Sequence, residues 1–351
     1  AAALAAWPEA AEFYLKALDG VLPTQRSTVL RKLGYARLYA GAAGLATEAF
    51  REAMGVALTP HEAVVARLAL AHALIPQGRY ADVITLVSQI DPDIDPRQRA
   101  EALFLWGTAL SLEGADLGAA TERLMMAEAV LRACPTAEAA ALAQVSFELG
   151  NIAAQQGDLT TAIARYEMAQ QVADEAGDSA LTWRVLARNN QAYHRLLLGE
   201  ITAAESLITA ALSLAEEGGL LSVMPYLLST AGDLETATAR FQQGLALATQ
   251  FSIPERVAGI TANLGLVALQ HGDTTCAVHY LSTALAQADT LGARHLGAQI
   301  RVWLAPLLPP TEARIRLAEA QAIAEAGGRQ RLLAAIAQVR AALSNQATVP
   351  R

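Results

Sequence analysis

The chain has 351 residues, 53% of them hydrophobic, 5% aromatic and 17% charged, with 26 Lys+Arg against 34 Asp+Glu and a formal charge of −8. That apolar fraction and weak charge density exclude a disordered chain. The acidic balance, with no basic run, argues against a direct nucleic-acid surface, and no run of about 18 uninterrupted apolar residues is present to span a bilayer.

In chain order, the sequence begins at Ala1 with neither Met nor a basic flank before an apolar core, and reads as an excised fragment of a longer protein. Residues 8–19 read as the second helix of a repeat whose first helix is mostly missing, a partial N-terminal repeat over 1–20. Its Phe13, Leu15 and Leu18 are expected to be exposed, so the chain is expected to be a monomer or a weak homodimer paired through that end. Helix pairs are expected at 24–41 and 45–56, 60–77 and 79–90, 95–113 and 116–132, and 135–156 and 159–176. Further pairs follow at 178–198 and 201–217, 219–231 and 234–250, and 253–271 and 274–291. Between the second and third pairs, Asp91-Pro92-Asp93-Ile94-Asp95-Pro96 reads as an inter-repeat turn, with a subdomain joint as the alternative. The sixth pair has a short first helix, and Pro225 there must lie in the first helical turn or kink the helix; residues absent near Leu221–Pro225 are the alternative. Helices at 293–306, 310–326 and 329–345 end the chain, the last with a polar outer face of Arg329, Gln330, Gln338 and Arg340 that suits a cap.

A repeat underlies these pairs. Gly41, Gly78, Gly114, Gly157, Gly199, Gly232 and Gly272 are spaced 37, 36, 43, 42, 33 and 40 residues apart. Seven positions before them stand Gly34, Ala71, Gly107, Gly150, Ala192 and Gly265, small residues that let two antiparallel helices approach closely. Five positions after them stand Val83, Ala119, Ala162, Ala204, Ala237 and Ala277 on the second helix. At Gly41 the contact alanine is read as Ala49, eight on, across a turn lengthened by Ala42-Ala43-Gly44. The glycine between the helices suits a left-handed helix end, and Asp158, Asp233 and Asp273 suit N-caps of the next helix.

On these residues the chain resembles the tetratricopeptide repeat (TPR). Its best copy is Leu149-Gly150, Gly157-Asp158, Ala162, Tyr166 and Ala169, followed by Leu264-Gly265, Gly272-Asp273, Ala277, Leu281 and Ala284. The resemblance implies an all-α, right-handed α-solenoid: seven repeats over 21–292, then a degenerate last repeat and a C-terminal capping helix over 293–351. The long, Ala- and Leu-rich repeats are also similar to the sensor arrays of large bacterial signal-transduction ATPases (STAND), such as the maltose-regulator type.

No catalytic or cofactor chemistry is legible. There is no Walker phosphate loop and no Gly-x-Ser-x-Gly elbow. The six histidines (His61, His72, His194, His271, His279 and His295) form no metal-ligand spacing. Cys134 and Cys276 are too few and too far apart for a disulfide framework, which favours a reducing, cytoplasmic setting; they read as packing residues rather than nucleophiles. Trp7, Trp106, Trp183 and Trp303 read as packing anchors. The fragment is therefore expected to be non-catalytic, without cofactor or metal.

In a TPR array the first helices line the concave face. The resemblance implies inward positions at Arg31 and Tyr35, His72, Thr108, Asn151 and Gln155, Asn189 and Tyr193, and Asn263 and Gln270, with Lys32, Asn190 and His194 nearby. The expected site is the central group Asn151, Gln155, Asn189 and Tyr193, with Asn263; Arg31 and Tyr35 would meet only the far end of a long ligand. Amides that both donate and accept suit a peptide backbone, a protein partner or a small polar ligand. A Lys/Asn clamp for a carboxyl-terminal peptide, known in some TPR proteins, is in doubt because Arg31, Lys32 and Asn151 fall on nonadjacent repeats. The expected role is a binding and sensor module of a larger STAND-type regulator; the alternative is a structural adaptor independent of any ATPase.

Overall fold

The computed structural model describes residues 2–114, 116–134, 138–235 and 238–347, which form α-helices, three short 3-10 turns and no strand. The first helices are α1 (Ala2–Ala17), α2 (Pro23–Tyr39), α3 (Ala43–Gly55), α4 (Pro60–Leu74), α5 (Tyr80–Ser88), α6 (Pro96–Glu113) and α7 (Leu117–Ala133). There follow α8 (Ala139–Gln156), α9 (Leu159–Ala176), α10 (Leu181–Leu197), α11 (Ile201–Glu217), α12 (Met224–Glu235) and α13 (Thr238–Gln250). The last are α14 (Pro254–Gln270), α15 (Thr274–Thr290), α16 (Arg294–Leu304), α17 (Pro310–Ala326) and α18 (Gln330–Ala347).

The chain divides into two compact units, one of residues 1–110 and 122–137, the other of 111–121 and 138–351. The division therefore falls around α6 and α7 rather than at the Asp91–Pro96 turn.

The small residues act as expected. A Cβ on Gly150 would come within 2.6 Å of the Tyr166 ring, and one on Gly34 within 2.4 Å of Phe50. Glycine at these positions is what allows each aromatic ring to lie flat against the facing helix. Gly41, Gly78, Gly114, Gly157, Gly199 and Gly272 all have positive φ, between 70° and 92°, and end helices or turns as left-handed caps. Asp158 accepts from the Thr161 N–H at 3.0 Å and Asp273 from the Cys276 N–H at 2.9 Å, each capping its helix. Consecutive helices pack on one another from α1 to α5 and from α8 to α18, and buried Ala and Leu fill the seams: Ala192, Ala204, Ile208 and Leu227 share one cluster, Ala262, Leu281 and Ile300 another.

Several expectations are corrected. The first repeat has no lengthened turn: α3 starts at Ala43, and Ala46, five after Gly41, is fully buried. Gly232 is not a turn glycine. It lies inside α12, where its Cβ would meet the Phe241 ring at 2.8 Å, so it takes the contact role that Gly150 has against Tyr166. Asp233 consequently falls in the last turn of α12 instead of capping α13. Ala237 lies outside the described residues. Pro225 sits in the first turn of a short α12, where its missing N–H costs nothing. At the N-terminus Phe13 and Leu15 are exposed, whereas Leu18 packs against Leu30, Ala53 and Ala66. Cys276 is exposed at the start of α15 rather than packed.

The largest correction is Arg329. It is fully buried, not part of a polar outer face. Its Nη1 donates to the Ile323 carbonyl and its Nη2 to the Gly114 carbonyl, both at 2.8 Å. These carbonyls belong to the end of α17, where Ile323 also accepts from the Gly327 N–H, and to the turn that closes α6; C=O groups there carry the negative end of the helix dipole. One guanidinium thus caps two helix ends and fastens the start of α18 within the second unit.

Candidate functional site

The second unit holds a concave cavity of about 490 Å³. Every helix that lines it, apart from a Tyr166 contribution from α9, is the first helix of a pair. The end of α6 contributes Ser111, α8 contributes Glu148, Asn151 and Gln155, and α10 contributes Trp183, Asn189, Asn190 and Tyr193. Tyr226 and Asp233 come from α12, Glu255, Arg256 and Asn263 from α14, and His295, Gln299 and Trp303 from α16.

Five of the expected residues, Asn151, Gln155, Asn189, Tyr193 and Asn263, meet in this one cavity. Gln270 does not line it and is exposed. Arg31 and Tyr35 lie on α2 of the first unit, where Tyr35 packs edge-on against Phe50 at 5.1 Å and the Arg31 Nη2 donates to Thr28. Burial pushes the Tyr35 phenol up to about 12, with the nearby Glu101 carboxylate adding to the rise. In the same unit His72 contacts Glu101 at 2.9 Å. Trp106 carries the Arg123 guanidinium 4.5 Å above its ring, a packing role as expected.

An amide chain organises the cavity wall. The Tyr166 hydroxyl and the Asn190 amide both donate to Asn151 Oδ1 at 2.9 Å. Asn151 in turn donates to Glu148 at 3.0 Å, and Asn189 donates to Asn190 at 3.0 Å. Gln155 donates to Ser111 at 3.1 Å and Asn263 to Asp233 at 3.1 Å. Within this wall Gln155 Oε1, Asn189 Oδ1, His295 Nδ1 and Arg256 Nε are buried with no protein partner. Such groups carry an unrecovered desolvation cost that a ligand or solvent contact can offset.

The titratable groups are strongly perturbed. Glu148 is half-buried on the cavity wall, and burial pushes its carboxyl up to about 7; the Asn151 hydrogen bond opposes the rise and the Glu255 charge adds to it. Burial likewise pushes Asp233 up to about 7 against the pull of Arg256. His295 is pushed down to about 4 by burial, with Arg329 adding to the fall, and burial also lowers His194. Arg256 lies 4.6 Å over the Tyr226 ring and makes no ion pair among the described residues. Perturbed groups gathered in one concavity make it the candidate site. No cluster of metal-ligating side chains is found among the described residues.

Glu148, Asp233, Glu255, Arg256 and His295 escaped the sequence reading. Glu148 lies two positions before the contact glycine, between the offsets used for inward residues. Asp233 was hidden by the shortened sixth repeat. Trp183 and Trp303, read as packing anchors, line the cavity as well as packing.

No protein-family model matches the chain, and no curated protein matches its sequence. Solved structures match its fold. A Rap protein complexed with Competence and Sporulation Factor superposes with a TM-score of 0.68 at 13% identity, over 80% of this chain and 80% of that one. The fold is that of a TPR-like all-α solenoid. The Rap conjugation gene regulator of plasmid pLS20, in complex with the Phr* peptide, gives 0.52 at 16% identity, over 88% of this chain and 79% of that one. A STAND protein with a tetratricopeptide repeat sensor from Pyrococcus horikoshii gives 0.50 at 14% identity, over 89% of this chain but 52% of that one. No helix among the described residues is long and apolar enough to cross a membrane.

Proposed function

We propose that the chain is a non-catalytic binding and sensor module that takes up a short peptide in the concave cavity of its second unit. The observation that carries this reading is the convergence of Asn151, Gln155, Asn189, Tyr193 and Asn263 in one cavity. Amide side chains there, with acceptors left over, match the alternating N–H and C=O groups of a peptide backbone. A volume of about 490 Å³ suits a few residues rather than a folded partner. Two of the structural neighbours are in complex with Competence and Sporulation Factor and with the Phr* peptide, which agrees with this reading. Arg31 and Tyr35 remain proposed contacts only for a ligand long enough to reach the first unit.

The reading places the module in the cytoplasm as the sensor region of a larger STAND-type regulator, without direct contact to nucleic acid. Binding would act by differential affinity for the resting and active states of the parent. A Walker phosphate loop in the full-length gene product supports that parentage; a chain of repeats alone favours the adaptor.

The site is tested with fluorescently labelled random hexapeptide libraries titrated against the chain by anisotropy. Asn151→Ala combined with Asn189→Ala should weaken binding at least tenfold while the far-ultraviolet spectrum stays helical. Binding within about twofold of wild type would remove these residues from the site.

A further inference from the structure

The cavity's hydrogen-bond inventory is unbalanced, and the imbalance names the ligand's chemistry; this step rests on the cavity being the ligand site. Five lining amide nitrogens already donate within the wall: Asn151 to Glu148, Asn190 to Asn151, Asn189 to Asn190, Gln155 to Ser111 and Asn263 to Asp233. Two of their amide oxygens are left without a partner. Asn189 is 5% exposed and its Oδ1 has no partner, and Gln155 Oε1 is likewise unpartnered. Glu148 and Asp233 each accept through one oxygen, which leaves the other unused, and Glu255 makes no hydrogen bond among the described residues.

Charge points the same way. Three carboxyl groups, Glu148, Asp233 and Glu255, line the cavity with one guanidinium, that of Arg256, which stacks on the face of Tyr226. The lining histidines His194 and His295 are held neutral by burial and offset nothing. The Glu255 charge adds to the rise of the Glu148 carboxyl. An anionic ligand on Arg256 would meet three carboxyl groups, whereas a cation draws Glu148 and Asp233, held up to about 7 by burial, into their ionised forms. Aromatic walls from Trp183, Tyr226 and Trp303 can face a cation favourably.

We propose that the cavity recognises its ligand by a cationic head rich in N–H donors, a guanidinium or primary ammonium, seated between Glu148 and Glu255 with the unpartnered Asn189 carbonyl as a further acceptor. Such a head belongs to a basic residue of a bound peptide or to a small free amine. A guanidinium offers five N–H donors in a planar fork, enough for two carboxylates and an amide at once.

The test uses the full 351-residue chain and three probes: a hexapeptide library with one position fixed as arginine, the same library with neutral, near-isosteric citrulline, and agmatine alone. The expected result is at least tenfold tighter binding of the arginine library than of the citrulline library. Glu148→Gln with Glu255→Gln should abolish that preference while leaving citrulline-library affinity within about twofold, and Glu255→Gln alone, at an exposed residue, should reduce it without any folding risk. Equal binding of the two libraries, still weakened by Asn151→Ala with Asn189→Ala, overturns the cationic head and leaves the peptide cavity standing. Agmatine binding as tightly as the arginine library keeps the cationic head but overturns a peptide as its carrier. Binding of none of the three overturns both.

Discussion

At the scale of single residues, the second unit spends stability on groups that an ordinary core would not bury. Glu148 is one. Its carboxyl, pushed up to about 7, is favoured in its neutral form in the fold but ionises near 4.5 in the unfolded chain, so its contribution to stability is full at acid pH and is lost as pH rises through about 7. His194 and His295, both lowered, act in the opposite sense, because the unfolded chain gains protons from about pH 6.5 downward while they stay neutral. The wild-type profile mixes the two trends, but the difference between Glu148→Gln and wild type isolates one. That difference in melting temperature should move in favour of the variant from pH 5 to pH 8; a constant offset would contradict the burial of this carboxyl. Arg329 is the second case. Removing it takes the guanidinium donor from the Gly114 carbonyl and leaves the Ile323 carbonyl with the Gly327 N–H alone, a loss on the order of 1–3 kcal/mol. Arg329→Ala should therefore lower the denaturation midpoint and speed amide exchange along α18. An Arg329→Met variant as stable as wild type would show instead that the desolvated charge cancels its two hydrogen bonds.

At the scale of elements, close approach between paired helices is the rule that the sequence expresses most clearly. Gly150→Ala drives a methyl into the Tyr166 ring, 2.6 Å away, and should cost about 1–3 kcal/mol. Gly259, on α14 with nothing within 4 Å of its Cβ position, is the control, and Gly259→Ala should stabilise by about 0.5–1 kcal/mol through helix propensity. Chemical denaturation of both variants checks the pair, and equal effects would deny the contact role. Helix boundaries were legible because glycine, Asp and Pro punctuate nearly every pair: α9, α11 and α17 have the expected limits, and others differ by a few residues. The sixth repeat misled for a physical reason. Gly232-Asp233 has the turn signature of Gly157-Asp158, but only nine residues separate Gly232 from Phe241, as in the nine from Gly157 to Tyr166, and the helix preceding Gly232 is too short to supply a separate contact glycine. Gly232 takes the contact itself, and Asp233 is carried onto the cavity wall. No local pattern in the sequence distinguishes a capping Asp from one displaced in this way.

At the scale of the molecule, the amide half of the cavity was legible and the charged half was not. Asn151, Gln155, Asn189, Tyr193 and Asn263 fall at repeat offsets that turn first-helix residues inward, so periodicity alone brings them together. Glu148, Arg256 and His295 become cavity residues only once several pairs are stacked, since the facing walls of the cavity come from other repeats. Arg329 illustrates the same limit, because its Gly114 acceptor lies 215 residues away. A polar residue in an amphipathic pattern reads as solvent-facing until the distant element that covers it is known. The central claim, a ligand held on the concave side of the second unit, is tested most directly by hydrogen exchange with and without the bound arginine-fixed hexapeptide library. The account predicts protection concentrated in α8, α10 and α14, whose side chains line the cavity; protection confined to the second helices α11, α13 and α15 would contradict it.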